Sequence, residues 1–190
     1  MKHPFEIIMS KHQQGFRQQH ECLCGPASLS LVSEAMGLGT ISEETWVSPK
    51  WKKWMPCEDF LVRGLALHEL LFMAEVTLGQ QVEITLSRAY PENKEKFLDD
   101  LREASTCNDY GLILNFAQDH LMGRPFDDQG YPHYSPVGAY VVKAQEILVA
   151  DIDREIPRAY KVSVDRAFQG MTFTNPAFGV PRGWLKLRRR

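Results

Sequence analysis

The sequence predicts an α+β fold. Apolar residues recur at helical spacing through its first half, and apolar runs of strand length fill its second half. Two of those runs, separated only by Lys143-Ala144-Gln145, predict a hairpin. Of the 190 residues 44% are apolar and 24% charged, enough to bury a core without metal or disulfide staples. No internal repeat or low-complexity segment interrupts the chain, so one domain over residues 1–190 is expected.

The elements follow in order. The first 20 residues are polar and read as irregular. Cys24-Gly25-Pro26 then opens a helix with apolar positions 27, 31, 32, 35 and 36. Proline is tolerated only in its first turn, and Gly37 closes it. A second helix runs from Leu67 to Leu78 and stops at Gly79; a third, Lys94 to Arg102, turns Phe97, Leu98 and Leu101 inward. Strands are expected over Tyr110–Phe116, Tyr134–Val142 and Glu146–Ile152, then a short helix over Val164–Gln169 and a last strand near Trp184–Leu187.

Composition narrows the function. A net charge of −2 gives no field that would draw nucleic acid or an anionic membrane. The basic run Lys186, Arg188, Arg189, Arg190 reads as a solvated tail. The start, Met1 to Glu6, lacks a signal-peptide pattern and no apolar stretch is long enough to span a bilayer, so a cytoplasmic location is expected. The four cysteines read as reduced thiols, one of them a candidate nucleophile.

Thiolate is the reactive form of cysteine, and a helix N-terminus favours negative charge through unpaired N–H groups and the helix dipole. Among the four, only Cys24 has that placement, and Gly25 beside it would admit a substrate backbone. Such a cysteine serves packing or catalysis, and a catalytic one needs a base oriented by a third group. His133 and Asp151 flank the predicted hairpin at similar distances from its turn, and directly opposed side chains sit about 5 Å apart. Asp153, two residues on, is the alternative carboxylate. A satisfied strand histidine beside a capping aspartate is the other reading of the pair. Gln18 is a candidate oxyanion donor or a loop residue. His20, Cys22 and Cys24 would suit a soft metal in a thiol metal-binding module, but no second Cys/His pair with ligand spacing follows, and no metal ligand is assigned.

The segment Gln18-Gln19-His20-Glu21-Cys22-Leu23-Cys24-Gly25-Pro26 resembles the active-site segment of phytochelatin synthases. His133-Tyr134-Ser135-Pro136-Val137-Gly138-Ala139-Tyr140 is similar to that family's His-Phe-Ser-Pro-Ile-Gly-Gly-Tyr, and Asp151-Ile152-Asp153-Arg154 to its Asp-x-x-Arg. Weaker similarity runs through Trp54–Ala74, with Cys57 and Gly64-Leu65 in place, through Phe97–Phe116, and at Phe168–Met171 and Arg182-Gly183-Trp184. The resemblance implies a papain-like fold and a glutathione γ-glutamylcysteinyltransferase or cysteine peptidase that works through a thioester. Cys24 would be nucleophile, His133 base then acid, Asp151 its orienting partner and Gln18 the oxyanion donor. Arg154 and Arg182 match arginines near the family's substrate site, either carboxylate binders or structural ion pairs. No cofactor is required; a heavy-metal ion such as Cd²⁺ is a candidate co-substrate as the peptide's metal thiolate. A thiol peptide such as glutathione is the expected partner, and a second copy of the chain is a further candidate. Departures fall around the substrate: Phe116 and Gln118 stand where the family has Tyr and Arg, Pro132 where it has Gly, and Asn175 where an acidic residue would hold the donor's ammonium. They keep open a peptidase or amide-forming enzyme acting on another substrate.

Overall fold

A computed structural model of the protein describes residues 2–42, 45, 62–125, 130–175 and 178–190. Among these residues six α-helices flank a six-stranded sheet in the order β1 (Val82–Arg88), β8 (Gly183–Arg189), β2 (Tyr110–Ala117), β3 (Pro132–Val141), β4 (Glu146–Val149), β5 (Tyr160–Ser163), with every neighbouring pair antiparallel. The α+β expectation therefore stands. The expected family positions from Trp54 through Cys57 to residue 61 lie outside the described residues.

The N-terminal segment is not irregular. α1 spans Pro4–Gln13, with Pro4 in its first turn and the His3 ring accepting a hydrogen bond from the Phe5 N–H at 3.2 Å. Its buried face is Phe5, Ile8 and His12. That stripe is too narrow to stand out among polar neighbours, and packing on β3 and α2 is what makes it a helix. α2, Cys24–Ala35, is buried at every position but Glu34. Small residues let it lie against β2 and β3, and Gly37, at φ 71, turns the chain out of it. α3 spans Leu67–Leu78 as expected.

β1, Val82–Arg88, was not foreseen, although its apolar positions 82, 84 and 86 alternate. α4 spans Lys94–Thr106, a turn beyond the expected end, with Phe97 and Leu101 buried. β2, Tyr110–Ala117, is buried at all eight positions because α2, α4 and α6 (Val164–Thr172) all pack on it, the environment a continuous apolar run predicts. α5 is the short helix Gln118–Met122 that follows.

The hairpin is present: β3, Pro132–Val141, pairs with β4, Glu146–Val149, across a tight turn in which Gln145 takes φ 50. β4 is shorter than the expected Glu146–Ile152. The register shifts between Val137 and Ala139, and past Val149 the chain leaves the sheet, so Asp151 lies on a loop. The chain returns as β5, Tyr160–Ser163. α6 outruns its expected end at Gln169. A ribbon of β6, Thr174–Asn175, and β7, Val180–Pro181, leads into β8, Gly183–Arg189.

The basic run is not a solvated tail. Through Arg189 it belongs to β8, between β1 and β2. Lys186 pairs with Asp100 at 2.7 Å and Glu103 at 2.9 Å, Arg189 donates to the Met36 carbonyl, and the Arg190 N–H bonds the Gln81 carbonyl. Alternation with Trp184, Leu185 and Leu187 gives that stretch a buried anchor which charge counting overlooks. No described helix is long and apolar enough to cross a membrane.

Candidate active site

Cys24 is the first residue of α2, and the helix's first backbone bond runs from Ala27 N–H to the Leu23 carbonyl at 2.9 Å. Pro26 has no N–H, so the helical pattern leaves the N–H groups of Cys24 and Gly25 as the free donors of the first turn. The cysteine borders a cavity of about 320 Å³ whose walls include Cys22, Arg63, Gly64 and Tyr131. Gly25 makes room for the protein itself: a Cβ there would stand 3.3 Å from Leu70 and 3.4 Å from Tyr134.

His133 enters from β3, opposite Phe116, whose ring meets the imidazole edge-on at 5.7 Å. Its Nε2 lies 2.8 Å from Asp151 Oδ1, and Cys24 stands near enough to the same ring to favour its protonated form, with Nδ1 the nitrogen left to face it. Both members of the His133–Asp151 pair are buried. Burial alone would push the imidazole down. The Asp151 charge, the bond to it and the nearby Cys24 outweigh that and raise it to about 10. Burial would likewise raise the Asp151 carboxyl, but the charge and hydrogen bond of His133, with bonds from Asp153 and Tyr160, hold it well below the usual carboxylate range.

Four donors converge on that carboxylate. Oδ1 takes His133 Nε2–H and, at 3.0 Å, the Asp153 N–H; Oδ2 takes the Tyr160 hydroxyl at 2.9 Å and Gln118 Nε2 at 3.3 Å. Gln118 also reaches Asp153 Oδ2 at 3.1 Å. The Asp151 carbonyl accepts from His12 Nε2 at 2.7 Å, across the interface with α1. The hydrogen bond to His133 goes to Asp151, while Asp153 is turned toward Gln118 and the Glu155 N–H.

Gln18 is buried, its N–H bonded to the Ile152 carbonyl at 2.9 Å. Its Nε2 donates to the carbonyls of Glu21 (2.8 Å) and His20 (3.2 Å), and its Oε1 has no partner among the described residues. Arg154 grips the same loop, donating from Nε to the Gln18 carbonyl at 2.7 Å and from Nη2 to that of Gln19. A second cavity of about 470 Å³ has Gln18, Gln118, Arg124, Tyr131, Asp153 and Arg154 in its walls. Tyr131 borders both cavities.

The structure thus brings Cys24, His133, Asp151, Gln18 and Arg154 into one region. Arg182 and Asn175 do not line either cavity among the described residues. Arg182 is buried and donates to the carbonyls of Gly130 (3.2 Å) and Phe173 (3.4 Å); burial pushes its guanidinium down to about 10. Asn175 sits in the β6–β7 ribbon, where its carbonyl accepts from the Phe178 and Gly179 N–H groups. Sequence reasoning missed Tyr160 and His12 as neighbours of Asp151, and neither carries a local signal. Gln118 was visible only as a departure from the family. Among the described residues no cluster of three or more His, Cys, Asp or Glu is placed to hold a metal, and the Cys22 thiol, pushed up by burial, faces the Val62 carbonyl.

A cysteine at a helix start, an imidazole close enough to feel it and a buried carboxylate behind the imidazole define a thiol–imidazole–carboxylate protein. A sequence model of phytochelatin synthase matches residues 2–184, and the chain belongs to that family. It is similar to glutathione gamma-glutamylcysteinyltransferase 1 of Triticum aestivum, 25% identical over 91% of this chain and 34% of that protein. Identity is 24% with glutathione gamma-glutamylcysteinyltransferase 3 of Lotus japonicus, over 90% of this chain and 36% of the relative. With the glutathione gamma-glutamylcysteinyltransferase of Schizosaccharomyces pombe it is 23%, over 96% and 43%. The match thus spans between about a third and somewhat under half the length of these relatives.

Proposed function

We propose that the protein is a cysteine acyltransferase of papain-like fold that acts on glutathione or a related γ-glutamyl thiol peptide. The observation that carries this reading is the buried His133–Asp151 pair at 2.8 Å with Cys24, at a helix start, acting on the same imidazole. The family and the names of its relatives supply the substrate class. Cys24 gives its proton to His133, and the sulfur attacks the carbonyl carbon of the donor's cysteinyl–glycine bond. The Cys24 N–H lies at the developing oxyanion. Gln18 Nε2 can serve beside it by exchanging its longer bond, to the His20 carbonyl, for the oxyanion. His133 returns the proton to the departing glycine nitrogen, which leaves a thioester on Cys24. An acceptor amine, or water, gives a proton to His133 as it attacks, and the thiol is regenerated. Asp151 keeps the imidazole oriented and does not itself exchange a proton. The protein supplies no metal ligand in this scheme, and a soft cation enters only as the thiolate complex of the peptide.

The test is incubation with glutathione, with and without Cd²⁺, followed by assay of free glycine and intact mass. Glycine release and a γ-glutamylcysteinyl adduct lost in Cys24→Ala are expected. An adduct retained in Cys24→Ala, or no glycine at any glutathione concentration, overturns the proposal.

A further inference from the structure

We propose that Tyr160 is a positioning residue for the His133–Asp151 pair, clamping Asp151 Oδ2 together with Gln118 so that Oδ1 stays on the imidazole. The inference rests on the thiol–imidazole–carboxylate reading above and not on the choice of substrate.

The need for a clamp comes from the fold. β4 ends at Val149, so no strand ladder fixes the backbone of Asp151. The carboxylate can turn about its Cβ–Cγ bond, a broad, two-fold torsion that by itself does not select the oxygen presented to His133. Tyr160 stands where the selection can be made. It pairs with Val149 as the first residue of β5, so the loop carrying Asp151 leaves and rejoins the sheet at one point. From there its hydroxyl crosses the loop to Oδ2 at 2.9 Å. Gln118, at the start of α5, reaches the same oxygen at 3.3 Å. An ionised carboxylate offers about four lone-pair sites. Here two oxygens meet four donors, so turning the group would break several bonds at once.

The phenol suits the task. Burial, the charge of Asp151 and the bond to it push its ionisation far above the ordinary tyrosine range, so it remains a donor whenever the enzyme is folded. Other charges also bear on this region. Asp153 lies on the same loop, His12 and Arg17 act on Asp151 from α1 and the segment after it, Arg124 acts on Tyr160 from beyond α5, and Cys24 faces the imidazole. None of them bonds Oδ2, whose clamp consists of Tyr160 and Gln118.

Tyr160→Phe keeps the ring and removes the donor. We expect kcat to fall about ten- to a hundredfold, the range for a lost hydrogen bond to a charged group, with KM within about twofold. The His133 titration midpoint, followed by NMR on histidine-labelled protein, should drop by about half a pH unit or more as the carboxylate swings away. Alkylation of Cys24 by iodoacetamide near pH 7 should slow in parallel. The titration and the alkylation need no substrate, so they stand even if glutathione proves to be the wrong donor. A Tyr160→Phe protein that loses thermal stability but keeps kcat within twofold and an unmoved His133 midpoint would overturn the proposal, since Tyr160 would then only pack. Should Tyr160→Phe fail to fold, Gln118→Leu removes the other donor to Oδ2 and must show the same shifts to a smaller degree. Unchanged values there overturn it equally.

Discussion

Asp151→Asn isolates what the buried charge contributes, because the replacement keeps the shape. Its oxygen can still accept from His133 Nε2–H and the Asp153 N–H, and the Tyr160 hydroxyl can turn to accept from the new amide. Only Gln118 Nε2 is left facing another donor. The loss is therefore the negative charge beside a buried imidazole. His133 is 1% exposed, so without that charge its burial is opposed mainly by Cys24 and the imidazole falls well below its present value. Replacing an orienting carboxylate by its amide costs up to about four powers of ten in rate, and one hydrogen bond to a charged group is worth about 1.5–3 kcal/mol, about one to two powers of ten at about 1.4 kcal/mol each. Together these give a fall in kcat/KM of between about two and four powers of ten. Glycine release from glutathione over a range of concentrations measures it, and the pH dependence of Cys24 alkylation reads the same loss without turnover. A fall of less than about threefold with an unmoved alkylation profile would refute the reasoning. If Asp153→Asn were then inactive, the orienting role would belong two residues along.

Three further outcomes follow from the structure. The pair's contribution to stability should be complete below about pH 6.5, where His133 is charged even when unfolded, and should drain away as pH rises through about 10; because the Asp151 carboxyl is held low, it should also persist down to about pH 4 and fade below that. The difference in melting temperature between wild type and Asp151→Asn across this range measures it, and a gap that widens toward pH 10 would contradict the sign. Asp100→Ala should cost about 2–4 kcal/mol in urea unfolding, because Trp184 Nε1–H, bonded to Asp100 at 2.8 Å and wholly buried, loses its acceptor, while Asp100→Asn should lose less. Gly183→Ala should destabilise by about 1–3 kcal/mol or more, since its Cβ would stand 2.0 Å from the Ser87 carbonyl oxygen of a paired strand; Gly138→Ala meets the flexible Met9 sulfur at 2.3 Å and should cost less, and the reverse order in thermal melts would refute this.

The chemistry of the site was more legible in the sequence than its support. Cys24 announces itself through Gly25-Pro26 and a helical stripe, and the short turn at Lys143–Gln145 was enough to bring His133 toward Asp151. The end of β4 was not legible, because Ala150 and Ile152 are as buried and apolar as a strand would have them. They are held instead by packing and by bonds such as that from Gln18 N–H to the Ile152 carbonyl. Tyr160 and His12 reach Asp151 only through the tertiary fold, so no local spacing points to them. The Lys186–Arg190 run misled because charge counting ignores the alternate residues that bury a strand, and β1 was missed because each apolar position is separated by a polar one over too short a span.

β8 joins strands that are remote from it in the chain. β1 pairs with nothing else in the sheet, and its partner is made more than half a chain length later. During synthesis the segment carrying β1 can pack on α3, but its backbone N–H and C=O groups must wait for a partner until β8 arrives to bridge it to β2. Pairings this distant are slow, and an unpaired strand edge invites aggregation while it waits. Sheet closure is thus a late event on the ribosome, and a chaperone that shields the β1 region would act during that interval.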